Sequence, residues 1–328
     1  MFVVATFVDD LLILARNQED VTDFVKFLQS KFKLVYNGRI NKFLGTNFVV
    51  EKDSLLISAK NKIIELANKC GITKYRKANT PMKPSELLYP DENGVFFEDI
   101  NTYQSVTGSL LFIARLIRPE ILFAVIQLTK FASDPLKVHY DAAVRIVQYL
   151  FNTVDFVLKF EKPKFMSLTG FSDSDWANDI IDRKSYSGFT IYLNGNPIVW
   201  SCSKQKLISQ SSDEAEIIAA NEAARELTYC NQLFKEITGH DVRAQLFTDN
   251  AGVIRTCDRG FGRKTKHISV RELFIRQQVK NRELDVIQIK SEQNVADIFT
   301  KSVDLQLFNN LKTKLNLTEG GASKASTN

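Results

Sequence analysis

A change of hydrophobic period near Pro163 restricts this chain most, because helices and strands bury their apolar residues at different spacings. Across residues 103–151 apolar positions recur at helical intervals: Leu110, Leu111 and Ala114, then Ile121, Ala124, Val125 and Leu128, then Ala142, Ile146, Val147 and Leu150. Beyond Pro163 the apolar runs shorten and become β-like, at 167–172, 188–193, 198–202, 246–248 and 284–289. Helices are predicted between them at about 211–237 and 269–281, with a shorter one at 295–301. Ser211 and Glu214 form a capping-box pattern at the start of the first. The expected order is three strands, a helix, a strand, helical material, a strand and a final helix, a mixed sheet covered by helices.

The N-terminal part is smaller in scale. Residues 2–14 place Asp9 and Asp10 between two β-rich apolar runs, which predicts a hairpin with the acids at its turn. A helix at 18–32, a strand pair at 42–50 and 55–58, and a helix at 59–70 stopped by Gly71 follow. Thr80-Pro81-Met82-Lys83-Pro84 then breaks regular structure and opens a polar connection to about residue 98. A length of 328 residues with 44% hydrophobic content predicts two domains. The net charge of +5 permits a polyanionic partner without demanding one. Four scattered cysteines argue against a zinc module or disulfide framework and for a reducing, intracellular setting, cytoplasmic or nuclear. Arg115, Arg118, Pro119 and Glu120 interrupt the most apolar helical stretch, and Asp9 and Asp10 the apolar start, so neither a membrane span nor a signal peptide is expected.

Four acids fall where strand ends and helix starts can gather them. Asp173 closes the first strand after Pro163 and Asp249 the fourth, while Glu216 lies early in the capped helix and Asp297 begins the last one. Taken singly, each reads as a cap or a solvated surface acid. Gathered, they repel one another and require cations between them, for which Mg²⁺, an oxygen-seeking ion, is the natural candidate. Two such ions about 4 Å apart suit phosphodiester hydrolysis. Asp175, two residues along the same strand face, is the alternative to Asp173.

The segments that carry these acids, GFSDSDWA at 170–177, DRKSYSGF at 182–189, SSDEAE at 211–216, TDN at 248–250, RKTKHI at 263–268 and NVADIFTK at 294–301, resemble in order and spacing the ribonuclease H domain of copia-type (Ty1/copia) retrotransposon polyproteins. Upstream, FVDDLLI at 7–13, NKFLGTNF at 41–48, NTPM at 79–82, YQSVTGSLLFIA at 103–114 and RPEILFAV at 118–125 resemble the palm, thumb and connection of that family's reverse transcriptase. The resemblance implies a mixed α+β and α/β chain. Residues 1–160 would be an incomplete polymerase palm with a helical thumb and connection, 161–303 a ribonuclease H-like mixed β-sheet flanked by helices, and 304–328 a partly disordered tail.

It implies a catalytic and metal-binding quartet of Asp173, Glu216, Asp249 and Asp297, with two Mg²⁺ as cofactors and Mn²⁺ as an admissible substitute. Glu216 is chosen over Glu214 because it precedes Ile217, Ile218 and Ala219, as the family's glutamate precedes an apolar pair and an alanine. Asp9 and Asp10 match the polymerase metal-binding hairpin. That site needs a further aspartate from an upstream palm strand, so no polymerase activity is expected of this chain alone. The partner implied is an RNA–DNA hybrid or primer-template, contacted by Arg263, Lys264, Lys266 and His267, with Lys184, Lys204 and Gln205 as further candidates. A catalytically silent nucleic-acid-binding remnant, or one part of a polymerase completed by another chain, are the alternatives. A hairpin lacking its palm sheet is also expected to leave residues 1–60 less stable and open to association, with the missing polymerase portion or with itself.

Overall fold

The computed structural model describes residues 2–84, 86, 88–259 and 269–320. The N-terminal hairpin forms as expected: β1 (Phe2–Phe7) pairs antiparallel with β2 (Asp10–Ala15) through a turn at Val8 and Asp9. It stands as a two-stranded sheet of its own, and none of its described side chains is fully buried. Helix α1 (Gln18–Gln29) follows, capped by the Asn17 side chain, which accepts the Asp20 N–H. Phe2 meets Phe24 of this helix edge to face.

The meander β3 (Lys42–Phe43), β4 (Thr46–Val50) and β5 (Ser54–Ser58) leads into α2 (Lys60–Lys69), where Gly71 takes the left-handed conformation (φ 69) that ends the helix. The helical middle comprises α3 (Ile100–Leu116), α4 (Leu122–Thr129) and α5 (Lys137–Asn152). Arg118 and Glu120, which interrupt the apolar run in the sequence, are both fully buried, and their side chains pair at 2.6 Å. Arg118 also donates to the Thr153 carbonyl and hydroxyl, so the pair pins the α3–α4 junction to the end of α5. A buried pair of this kind is retained because removing either partner strands the other charge. Among the described residues no helix is long and apolar enough to cross a membrane.

Strand β6 (Phe156–Glu161), absent from the sequence reading, adds to the first sheet beside β5. The second sheet is built from β7 (Leu168–Asp175), β8 (Tyr186–Leu193) and β9 (Asn196–Lys204), an antiparallel run, and from β10 (Ala244–Thr248) and β11 (Leu284–Gln288). Its order is β11-β10-β7-β8-β9, and β10 lies parallel to both β7 and β11. Parallel neighbours need crossover connections. Helix α6 (Ser212–Thr238) makes the first of them, and α7 (Ala251–Arg259) and α8 (Ser269–Lys280) lie in the second. The small residues Ala219, Ala220, Ala223 and Ala224 of α6 are completely buried, which brings the helix close to the sheet. Gly170 completes this fit, since a Cβ there would lie 2.9 Å from Leu227 Cδ1.

The first part of the tail expected from residue 304 is ordered, and residues 321–328 lie outside the described residues. Asp304 caps helix α9 (Leu305–Lys314), and β12 (Leu317–Glu319) pairs antiparallel with β6, so residues 305–319 are folded and close the first sheet in the order β12-β6-β5-β4-β3. The reason is apolar spacing: Phe308, Leu311, Leu315 and Leu317 are all buried. They join one core with Tyr103, Leu110 and Ile146 of the middle helices and with Tyr186, Tyr192 and Phe299 of the second sheet's side. The two expected domains therefore share an apolar core. A second core lies between the other face of the second sheet and α6.

Candidate active site

Strand β7 sets the first acid. Asp173 pairs in register with Gly188 of β8, and its carboxylate is almost fully buried. Gly188 has no side chain because the chain segment carrying Asp297 lies directly over it: a Cβ there would stand 2.7 Å from Thr300 Cγ2 and 2.8 Å from Phe299 Cβ. That segment is a 3₁₀ turn, Val295–Phe299, where the sequence predicts a short helix. Asn294 caps it, accepting the Ala296 N–H on Oδ1, and its Nδ2 donates to the Ser172 carbonyl (2.9 Å) and to Asp249 Oδ1 (3.3 Å). One buried amide thus ties β7, the end of β10 and the turn together.

Asp173, Asp249 and Asp297 each present a ligand oxygen within 4.8 Å of the others. Glu216 stands beside them on the second turn of α6. Its Oε1 accepts the Ser174 N–H at 3.2 Å, and its buried Oε2 has no hydrogen-bond partner among the described residues; the same holds for Asp297 Oδ1. Glu214 serves the helix start instead, where its N–H donates to Ser211 Oγ and its carboxylate accepts the Gln210 N–H. Asp175 lies at the edge of the group, takes a hydrogen bond from Asn178, and is not among the three converging aspartates.

Electrostatics follow from this crowding. Burial, aided by Asp173 and Asp249, pushes the Glu216 carboxyl up to about 9. Burial and the Asp297 charge push Asp173 up to about 7, although Lys301 and the Thr300 hydroxyl work the other way. Asp297 is raised by burial as well, and Asp175 is pushed up to about 6. Buried carboxylate oxygens without donors, converging from separate elements, suit a hard divalent cation that takes oxygen ligands.

Several contributors escape the sequence reading. Thr300 donates its hydroxyl to Asp173, and Lys301 places its ammonium 3.1 Å from Asp297 Oδ2. Both sit in the NVADIFTK segment, and the i,i+4 spacing from Asp297 to Lys301 is the signal that points to the ion pair.

The expected nucleic-acid contacts fare unevenly. Gln205 is buried, with its amide donating to Ser187 Oγ and the Ala215 carbonyl, and it braces the start of α6. Lys204 is engaged within the protein, 3.0 Å from Asp179 and 2.9 Å from Asp182, and Lys184 lies 3.5 Å from Asp182. Arg263, Lys264, Lys266 and His267 lie outside the described residues. Asp9 and Asp10 occupy the exposed hairpin, apart from the converging group.

A family model described as reverse transcriptase (RNA-dependent DNA polymerase) matches residues 1–84. Sequence relatives extend the likeness over nearly the whole chain. The retrovirus-related Pol polyprotein from transposon RE1 of Arabidopsis thaliana is 30% identical over 314 residues, covering 95% of this chain and 21% of that protein. A protein ascribed to transposon Ty5-1 of Saccharomyces cerevisiae is 30% identical over 226 residues, 68% of this chain and 73% of its own length. Among solved structures, LC11-RNase H1 in complex with an RNA/DNA hybrid is similar at a TM-score of 0.32 and 17% identity, covering 41% of this chain and 94% of that one. The chain belongs to the Ty1/copia-type retrotransposon Pol family, and it spans about a fifth of the length of the large polyproteins it matches.

Proposed function

We propose that this chain carries the ribonuclease H activity of a retrotransposon polyprotein and cuts the RNA strand of RNA–DNA hybrids, using divalent metal held by Asp173, Glu216, Asp249 and Asp297. The observation that carries the reading is the convergence of three aspartates from three separate elements beside Glu216, with buried oxygens that have no donor among the described residues. Two Mg²⁺ ions, with Mn²⁺ as a substitute, would supply Lewis acidity at the scissile phosphate and lower the pKa of an attacking water. Asn294 and Gly188 fix the acids relative to one another, and Thr300 orients the Asp173 carboxylate. Such preorganisation spares the site from rearranging during the reaction.

Hybrid recognition would rest on the shape of the duplex and on the 2′-hydroxyls that distinguish RNA from DNA. Arg263, Lys264, Lys266 and His267 remain the candidates for phosphate contact, and the thumb- and connection-like helices of residues 103–151 would hold a primer-template. Asp9 and Asp10 would take part in polymerisation only together with a further aspartate from a palm strand.

The test is cleavage of a strand-labelled RNA–DNA hybrid by the purified chain in Mg²⁺. Cutting confined to the RNA strand, abolished by EDTA and reduced roughly 10²- to 10³-fold in Asp249→Asn, is the expected result. A folded chain that binds hybrid and leaves it intact would make this a silent binding remnant.

A further inference from the structure

Lys301 follows the 3₁₀ turn that carries Asp297. Its ammonium lies 3.1 Å from Asp297 Oδ2 and 3.9 Å from Asp173 Oδ2, and its side chain is 39% exposed, so it reaches into the carboxylate group from the solvent side. Among the described residues no other lysine or arginine lies within ion-pair distance of the quartet. A divalent ion bound at those two oxygens would sit about 2 Å from each, in the space that the ammonium faces. Two cations that share the same oxygens repel one another strongly in a partly desolvated site.

We propose that Lys301 is a built-in counter-ion: it occupies the carboxylate cluster in the metal-free protein, moves aside when a divalent cation binds, and so sets the metal affinity of the site. The inference rests on the metal-dependent reading above. Room for the movement exists. Lys301 and Ser302 line a cavity of about 250 Å³ whose wall also includes Glu86 and Asn178. A tethered +1 charge also disfavours Na⁺ and K⁺, which bring no more charge than the ammonium they displace, and leaves a net gain only for divalent ions.

The experiment is a direct titration of the full chain with Mn²⁺, followed by electron paramagnetic resonance, for the wild type, Lys301→Gln and Lys301→Arg, with thermal midpoints recorded in EDTA and in saturating Mg²⁺. Lys301→Gln is expected to bind Mn²⁺ roughly tenfold more tightly, the scale of removing a like charge near 4 Å from the ion. Lys301→Arg should bind at or below the wild-type affinity. The Gln variant should also melt lower than wild type in EDTA and gain more from Mg²⁺, a difference that a purely packing role for the side chain would not produce. Equal Mn²⁺ affinities in all three proteins overturn the counter-ion role and leave the metal-dependent nuclease standing. No Mn²⁺ binding by any folded variant overturns both.

Discussion

Two acidic sites stand at opposite extremes in this molecule. Asp9 and Asp10 sit side by side in sequence, at the turn of an exposed hairpin without a buried side chain. Asp173, Glu216, Asp249 and Asp297 are scattered over more than a hundred residues of sequence, yet three of them are almost fully buried and Asp249 is half-buried. Adjacent acids in an exposed turn are hydrated and cost little; acids drawn together by a sheet, a long helix and a capped turn are desolvated and repel. Chemical potential in a carboxylate site comes from the fold that forces the groups together, and the hairpin has no such frame among the described residues.

The comparison breaks most sharply by substitution. Asp173→Asn should lower hybrid cleavage roughly 10²- to 10³-fold, whereas the double change Asp9→Asn, Asp10→Asn should leave it within about twofold, measured on the same labelled substrate. Comparable losses at both sites would mean that the hairpin takes part in the cleavage.

The second test uses proton linkage. Glu216 moves from an ordinary value of 4.5 to about 9 in the folded, metal-free protein. Between those values the unfolded chain has lost the proton that the native state still holds, so stability in EDTA should fall as pH rises from about 5 to about 9. Urea midpoints should register a progressive loss of stability across that range. Saturating Mg²⁺ should flatten the slope, and Glu216→Gln should reduce it. A flat profile for the wild type in EDTA would show that the cluster is not strained.

A smaller effect should come from Gly188→Ala. The added methyl meets Phe299 Cβ and Thr300 Cγ2 below normal contact distance, so the turn with Asp297 must shift. About 1–2 kcal/mol of stability should be lost, with cleavage reduced by about tenfold while the Asp173 side chain itself is untouched. An unchanged cleavage rate would show that the placement of Asp297 tolerates the shift.

Much of the second sheet was legible before any coordinates. Its five strands and the cap at Ser211 follow local rules of period and turn chemistry. The quartet was nameable because the resemblance ordered the acids; periodicity alone could not say that they converge. What stayed hidden depends on distant partners. Strand β6 and strand β12 are short and carry no alternation strong enough to announce themselves, and they become strands because each supplies the other's edge. Arg118 and Glu120 read as polar interruptions and proved to be a buried pair, since charge in a sequence says nothing of whether its partner is buried with it. Gln205 looked like a basic-surface neighbour for the same reason.

The pairing of Leu317 with Leu158 also fixes an order of events during synthesis. The first sheet holds β6 as an open edge until residues 317–319 have left the ribosome, after the entire second sheet has been made, so the early half waits on the last strand before it is closed. Long-range closure of this kind is slow and leaves a pairing edge exposed in the interval. A nascent chain held at that stage would offer β6 to whatever extended segment is nearby, which makes the final strand a seal on translation products as well as a part of the sheet.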